Sequence, residues 1–524
     1  MASRATVAAG HPETAEAAAS VLRDGGNAVD ACVAAVLASF VSEIGLTGPF
    51  GGGFALVASP DGSSTSFDFF ADVPGRGLSD THGIEFNGVD VSFGPTTQTF
   101  HVGRGSVAMS SVLQGLMALH EKFGTKPLNV VAAPAQELAR QGTRLTEQTT
   151  QTMGILEPIL RYTLESSALF APTGTLPVTG ARLANPELCS LFAELSQTRV
   201  DRLNGSFASC FAPPLGLVTA EDLSAYRVLE RQPLSIQIRD YTVELNPPPS
   251  SGGALVGFGL RLLERVDPSV WEDPAQTMVH LLAAMSTTLR ARVEELDGAL
   301  AQHGTVEVNG MILDDGFIDS WWPVFERAVR RGPSEAPSEG RPTPGNTTHV
   351  SVVDANGWAC TLTSSNGEGC GIAVPGSGAV GNNFLGESDL NPGGFHSSPA
   401  GVRLTSMMCP VVVSQDSVPL FALGSGGSNR IRTALLQVLT RTLLCGEPIQ
   451  QAVDRPRIHF EHDTLYLEKR NGAFEQPAGW LDKVQCPRQV IFEEPSMFFG
   501  GVHVAGAQGA AAGDPRRQGS VAVV

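Results

Sequence analysis

The chain has 524 residues, 42% hydrophobic and 17% charged, with a mean hydropathy of +0.04. That length can bury a large core or divide into two lobes, and the balance excludes a disordered chain and a membrane-embedded one. A formal charge of -18 and a pI near 5.0 oppose nucleic acid and anionic lipid as main partners, which leaves a small molecule.

The first residues, MASRATVAAGHPETAEAAASVL, lack a basic segment followed by an unbroken apolar one, since His11, Glu13 and Glu16 interrupt it. No apolar run reaches the ~20 residues that cross a bilayer, so the expected location is the cytoplasm. Residues 12–40 have helical periodicity, broken at Gly25-Gly26 by a C-cap signal and restarted at Asn27. TGPFGGGFALVAS and STSFDFFADVPG then read as two strands of a hairpin. From about 106 to 330 the pattern is mainly helical, which suggests a helical lobe.

Residues 332–345, GPSEAPSEGRPTPG, have the composition of a mobile linker. The next segment, THVSVVDANGWACTLTSS, alternates as two strands joined at Ala355-Asn356-Gly357, and Asn-Gly predicts a type I′ turn. Beyond it come a Gly-rich stretch, the strands CPVVVS and PLFALGSGG, and a helix starting near Ser428, the expected N-cap.

The chain carries no GxSxG elbow, and none of its eleven histidines lies in an acyl-transfer motif. His101, His349 and His396 lack metal-ligand spacing, GPFGGGF does not continue as a phosphate loop, and no metal or cofactor is expected. The eight cysteines form no CxxC pair and read as small buried hydrophobes. A threonine at a newly made N-terminus would need no separate base, because its α-amine has a reference pKa of about 7.7–8.0. A flexible linker that ends at Gly345-Asn346 and runs into a strand at Thr347 suits such a cut.

GNTTHVSVVDANG at 345–357 resembles the processing site of the gamma-glutamyltranspeptidase family of N-terminal-nucleophile hydrolases. GGNAVDACVAA at 25–35, PFGGGFALV at 49–57, FGTKPLNVVAAPAQELARQG at 123–142, GSGGSNRIRTALLQVL at 424–439, PRIH at 456–459 and GDPRRQGSVAVV at 513–524 extend the likeness. It implies an α+β fold, a four-layer αββα sandwich with a helical lobe, and self-cleavage between Asn346 and Thr347. The heavy piece would be 1–346 and the light piece 347–524, which would remain associated and could form a homo-oligomer. Thr347 would be nucleophile and amine base, Ser365, 18 positions on, would orient the amine, and Gly426 and Gly427 would form the oxyanion hole.

The recognition half departs from the family. Phe70 stands where gamma-glutamyl-specific members place an arginine for the α-carboxylate, a loss of about 1.5–3 kcal/mol per charge-assisted bond. Arg76 is a candidate substitute. Gly367, Phe384, Glu387, Ser406 and Met407 occupy the amino-side positions; Glu387 and Ser406 keep something of the family pattern, while Phe70, Gly367, Phe384 and Met407 make the pocket more apolar and a glutathione substrate a poor fit. The resemblance implies a self-processing amide hydrolase or acyltransferase. Two alternatives stand beside it: an amide or carbon–carbon hydrolase of an alkylproline-type antibiotic pathway, and a non-catalytic scaffold.

Overall fold

The computed structural model describes residues 4–524 except 80–81, 93–96, 303–304, 334–345, 471–479, 482–483, 485 and 487. Two all-antiparallel sheets form its centre. Their strands are β1 (Thr6–Ala9), β2 (Gly52–Ala58), β3 (Ser64–Asp68), β4 (Leu229–Arg231), β5 (Leu234–Ile238), β6 (Tyr241–Leu245), β7 (Thr348–Val353), β8 (Ala359–Ser365), β9 (Val411–Gln415), β10 (Val418–Gly426), β11 (Gly501–Gly506), β12 (Ala511–Ala512) and β13 (Ser520–Val523). One sheet runs β13-β1-β7-β8-β2-β3-β4 and the other β12-β11-β10-β9-β6-β5. Strands β7 and β8, from the C-terminal third, therefore lie between β1 and β2 from the N-terminus.

Helices α1 (Pro12–Arg23) and α2 (Ala28–Ser42) cover the outer face of the first sheet. All 15 residues of α2 are buried, as expected of a helix that is apolar all round. The break between them is where the glycine pair predicts it, with Gly25 at φ +81° and Asn27 closing a capping box with Asp30. Alternation along β7 sends Val350 and Val352 into the core under α2 and His349 and Ser351 toward the second sheet. Small residues such as Ala8, Ala359, Ala422 and Ala505 fill the seam between the sheets. On the far side, Phe258 and Leu260 of α3 (Ser251–Glu264) and Leu435 and Leu439 of α4 (Arg430–Leu443) pack on Val411, Val413 and Leu423.

Segment 106–330 is mainly helical, but it also contains β4, β5 and β6, two of which extend the second sheet. The alternation of LSIQIRDYTVEL, with Leu234, Ile236 and Ile238 buried and Ser235 and Gln237 exposed, was the available signal. The β7–β8 turn is not type I′, which needs positive φ at two residues. Only Gly357 has it, at +88°, and the loop is a three-residue turn closed by Asp354 N–H to Trp358 O at 2.9 Å. The Asp354 carboxylate, which accepts from the Asn356 and Trp358 N–H groups, supplies the turn geometry instead. Ser428 is not the N-cap: Asn429 precedes α4, and the Ser428 hydroxyl donates to Asp389. The linker expected at 332–346 falls outside the described residues over 334–345. No helix among the described residues is long and apolar enough to cross a membrane.

The C-terminal segment is tied in by charge. Asp514 meets Arg457 at 2.5 Å and Arg516 at 3.2 Å, accepts from Val502 N–H, and Arg516 also pairs with Glu468; all four side chains are buried. Removing one partner from such a group costs about 3–5 kcal/mol because the remaining charges lose their compensation. Asp514→Ala and Asp514→Asn both remove that charge, and each is therefore expected to lower the thermal unfolding midpoint, measured by calorimetry, by several degrees.

Candidate active site

The hairpin register sets the site. Thr348 pairs with Ser364 and Val353 with Ala359, so Thr347 and Ser365 come opposite one another just past the last paired residues. Asn346 and Thr347 are both buried. The Ser365 hydroxyl donates to the Asn346 carbonyl oxygen and accepts from Gly367 N–H at 2.9 Å. A hydroxyl donor thus lies on the carbonyl of the Asn346–Thr347 bond, where it can stabilise negative charge if that carbon is attacked.

The Thr347 carbonyl accepts from Arg517 Nη1 at 3.1 Å. Gly426 comes so close that a Cβ there would stand 2.2 Å from the same oxygen, and Gly427 has φ +124°. Both positions require glycine, and they bring the end of β10 against the start of β7.

A cavity of about 350 Å³ is lined by Phe70, Asn346, Thr347, Ser365, Phe384, Glu387, Ser406 and Met407, with Asp389, Leu390, Met408, Ser428 and Ile431 completing it. Residues spread over more than 330 positions, chosen from sequence for one site, therefore share one wall. Gly426 instead faces a second cavity behind Thr347, of about 450 Å³, shared with Glu43, Thr348 and Arg517. Phe70 packs on Phe54 and Phe384 with ring centroids 5.4 and 4.9 Å apart. Arg76 does not replace the missing arginine: it is held by Asp222 at 3.2 Å and stands 3.9 Å from Asp72. Arg403 is committed behind Phe70 to Asp68, Asp72 and the Phe70 carbonyl. No lysine or arginine is among the residues lining this cavity.

Sequence reasoning named Glu387 but missed the other acids around the site. Buried Glu368 and half-buried Asp389 join buried Glu387, and Oε1 of Glu387 has no hydrogen-bond partner among the described residues. Burial, with Asp389 nearby, pushes Glu368 up to about 8, and burial with Glu368 and Asp389 nearby raises Glu387 well above the usual carboxylate range. Asp389 is also raised by burial, against the pull of the Ser428 hydroxyl and Arg430. On the other side of the β7 start, Glu43 accepts from Thr348 and from Thr14 Oγ1. Burial raises it to about 7, opposed by those two hydroxyls and by Arg517. His349 is held neutral by burial and hydrogen-bonded to Thr363 and Ser351 at 2.8 Å each, a structural place between the sheets.

The profile of the gamma-glutamyltranspeptidase family matches residues 14–524. The chain belongs to that family. The Acylase ACY 1 proenzyme of Pseudomonas sp. (strain SE83) is 28% identical over 475 residues, covering 89% of this chain and 84% of the acylase. The glutathione hydrolase proenzyme of Escherichia coli (strain K12) is 30% identical over 482 residues, covering 86% and 80%. The crystal structure of cephalosporin acylase from Bacillus halodurans superposes with a TM-score of 0.81 at 20% identity, covering 99% of this chain and 96% of that one, a likeness of fold. With this membership the chain is an N-terminal-nucleophile hydrolase or acyltransferase with a mixed helix and sheet fold.

Glu43 makes stability depend on pH. In the unfolded chain it titrates near 4.5, whereas folded it keeps its proton to about 7. Its stabilising contribution is full below about pH 4.5 and is lost as pH rises through 7, by up to about 3 kcal/mol at pH 8. Glu43→Gln should lessen the fall in unfolding midpoint between pH 5 and 8 without abolishing it, since Glu368 and Glu387 also hold protons in this range, and an unchanged slope would remove Glu43 as a source.

Proposed function

We propose that this enzyme cuts its own chain between Asn346 and Thr347, and that the freed Thr347 hydrolyses or transfers the acyl group of small amides bearing an amine but no neighbouring carboxylate. The observation that carries this reading is the Ser365 hydroxyl on the Asn346 carbonyl, at the point where a linker composition meets a buried strand.

In the first step the Thr347 hydroxyl adds to the Asn346 carbonyl carbon, the peptide C–N bond breaks, and the nitrogen takes a proton as an ester forms on Thr347 Oγ1. Water then cleaves the ester and leaves residues 1–346 with a carboxylate and residue 347 with a free amine. That amine takes the hydroxyl proton when Thr347 attacks a substrate amide, and the departing amine carries a proton away. Ser365 changes partner from carbonyl to amine, and the N–H groups at Gly426 and Gly427 hold the oxyanion, each such donor being worth about 3–4 kcal/mol. Water ends hydrolysis and an amine ends transfer.

Donor choice follows from the cavity lining. Phe70, Phe384 and Met407 offer apolar wall where a carboxylate would need a cation, whereas Glu387 and Ser406 keep acceptors for an amino group. The same apolar lining favours a second reading in which a ketone replaces the amide and a carbon–carbon bond breaks, as in a natural-product pathway. The order helix pair, sheet, sheet, helices supports the four-layer αββα reading. Because β7 and β8 lie between β1 and β2, the two cleavage products should elute together in size exclusion without denaturant.

Intact masses under denaturing conditions test the first step. Wild type should give two species joined at Asn346–Thr347, Thr347→Ala one uncut chain, and Ser365→Ala processing slowed about 100-fold with Ser365→Thr close to wild type. A wild type that stays whole on long incubation defeats the reading. For the donor, Phe70→Arg should raise kcat/KM on a gamma-glutamyl anilide at least about 10-fold, the equivalent of one charge-assisted bond.

A further inference from the structure

A third cavity, of about 640 Å³, shares the Ser365–Glu368 turn with the active site. Ser365 lines the Thr347 cavity, while Asn366 and Glu368 line this one. Its walls are mostly apolar, formed by Phe40, Val41 and Ile44 at the end of α2 and by Leu160, Phe170 and Leu183.

Two polar atoms in this lining are unmatched. Asn366 gives its Nδ2 to the carbonyls of Val380 and Gly381 at 3.3 Å each, which directs its oxygen away from them, and Oδ1 has no partner. Glu368 receives Asn383 Nδ2 on Oε2 at 3.4 Å, and its Oε1 has none. These residues are 5% and 2% exposed. Buried acceptors in native proteins nearly always have a donor, and these two oxygens have none within the protein, so they are free to accept from a bound molecule. A water would meet the two oxygens but wet the apolar wall. The fitting group donates more than one hydrogen bond, carries an apolar tail, and is cationic, so that it displaces the proton that burial otherwise keeps on Glu368.

We propose that this cavity binds a small primary amine with an apolar tail, its ammonium group on Asn366 Oδ1 and Glu368 Oε1 and its tail among Phe40, Val41, Ile44 and Phe170. The site is separate from donor recognition at Glu387, and its existence does not depend on Thr347 being the nucleophile. Occupancy would brace the turn that carries Ser365, since Thr47, also in the lining, shares a hydrogen bond of 2.8 Å with Ser364.

Calorimetric titration at pH 7 of the full-length Thr347→Ala chain with hexylamine, 1-hexanol and hexanoate tests this without any catalytic step. Hexylamine should bind saturably at one site, at least about 10-fold tighter than hexanol, and hexanoate not at all. Ala184→Trp, at an exposed position in the cavity lining, and Glu368→Gln should each weaken hexylamine at least about 10-fold, whereas Glu387→Gln should leave it unchanged. Circular dichroism checks that each variant is folded, and should Glu368→Gln fail to fold, Ala184→Trp decides alone. No saturable binding, equal binding of the alcohol, or binding lost with Glu387→Gln but retained in Ala184→Trp overturns the proposal.

Discussion

Residues 347 and 365 face each other because the hairpin that joins them has one register. The turn is centred on Asn356, and positions equally far from that centre on either strand lie opposite one another. A one-residue slip would turn Val350 and Val352 away from the core under α2 and bring His349 and Ser351 into it, so burial on both faces holds the register. Asp354 ties this local arrangement to the rest of the molecule: one oxygen shapes the turn and the other accepts from Ala28 N–H at 2.9 Å, at the N-terminus of α2. The spacing of 18 between the threonine and its hydroxyl partner is thus a property of an antiparallel hairpin.

Chemistry and recognition are held by different parts of this frame. Thr347, Ser365 and the Gly426-Gly427 corner depend on backbone positions within the two sheets, where substitution meets neighbouring strands directly. The wall of the Thr347 cavity is made from side chains on segments around the sheets, Phe70 beyond β3, Phe384 and Glu387 in the loop after β8, and Ser406 and Met407 before β9. Such segments can change side chains without moving the hairpin. That division is consistent with the proposal of a retained reaction centre beside an altered donor pocket.

The acids around the site concentrate proton-holding capacity beside the Asn346–Thr347 bond. Glu368, Glu387 and Asp389 are too close and too buried to ionise together, and Glu43 adds a fourth raised carboxyl on the other side of β7. Buried guanidinium groups at Arg430 and Arg517 offset part of this charge. The site is polarised without a metal cluster among the described residues.

Legible in the sequence were features that depend on local chemistry: the helix break at Gly25-Gly26, the β2–β3 hairpin, the strand pair on either side of Asn356, and the residues that come to line the Thr347 cavity. Motif order located those last residues, though their assembly on one wall required the fold. The strands at 229–245 were also readable from their alternation, but they lie within a long helical stretch and periodicity over a wide window conceals them. The turn type went wrong because Asn-Gly was weighed without Asp354, whose carboxylate favours another loop. Only the tertiary structure decided that Arg76 is spent on Asp222, that Glu368 joins Glu387 and Asp389, and that Glu43 reaches Thr348. These depend on distance and desolvation between residues up to 305 positions apart, and neither quantity is carried by local sequence pattern.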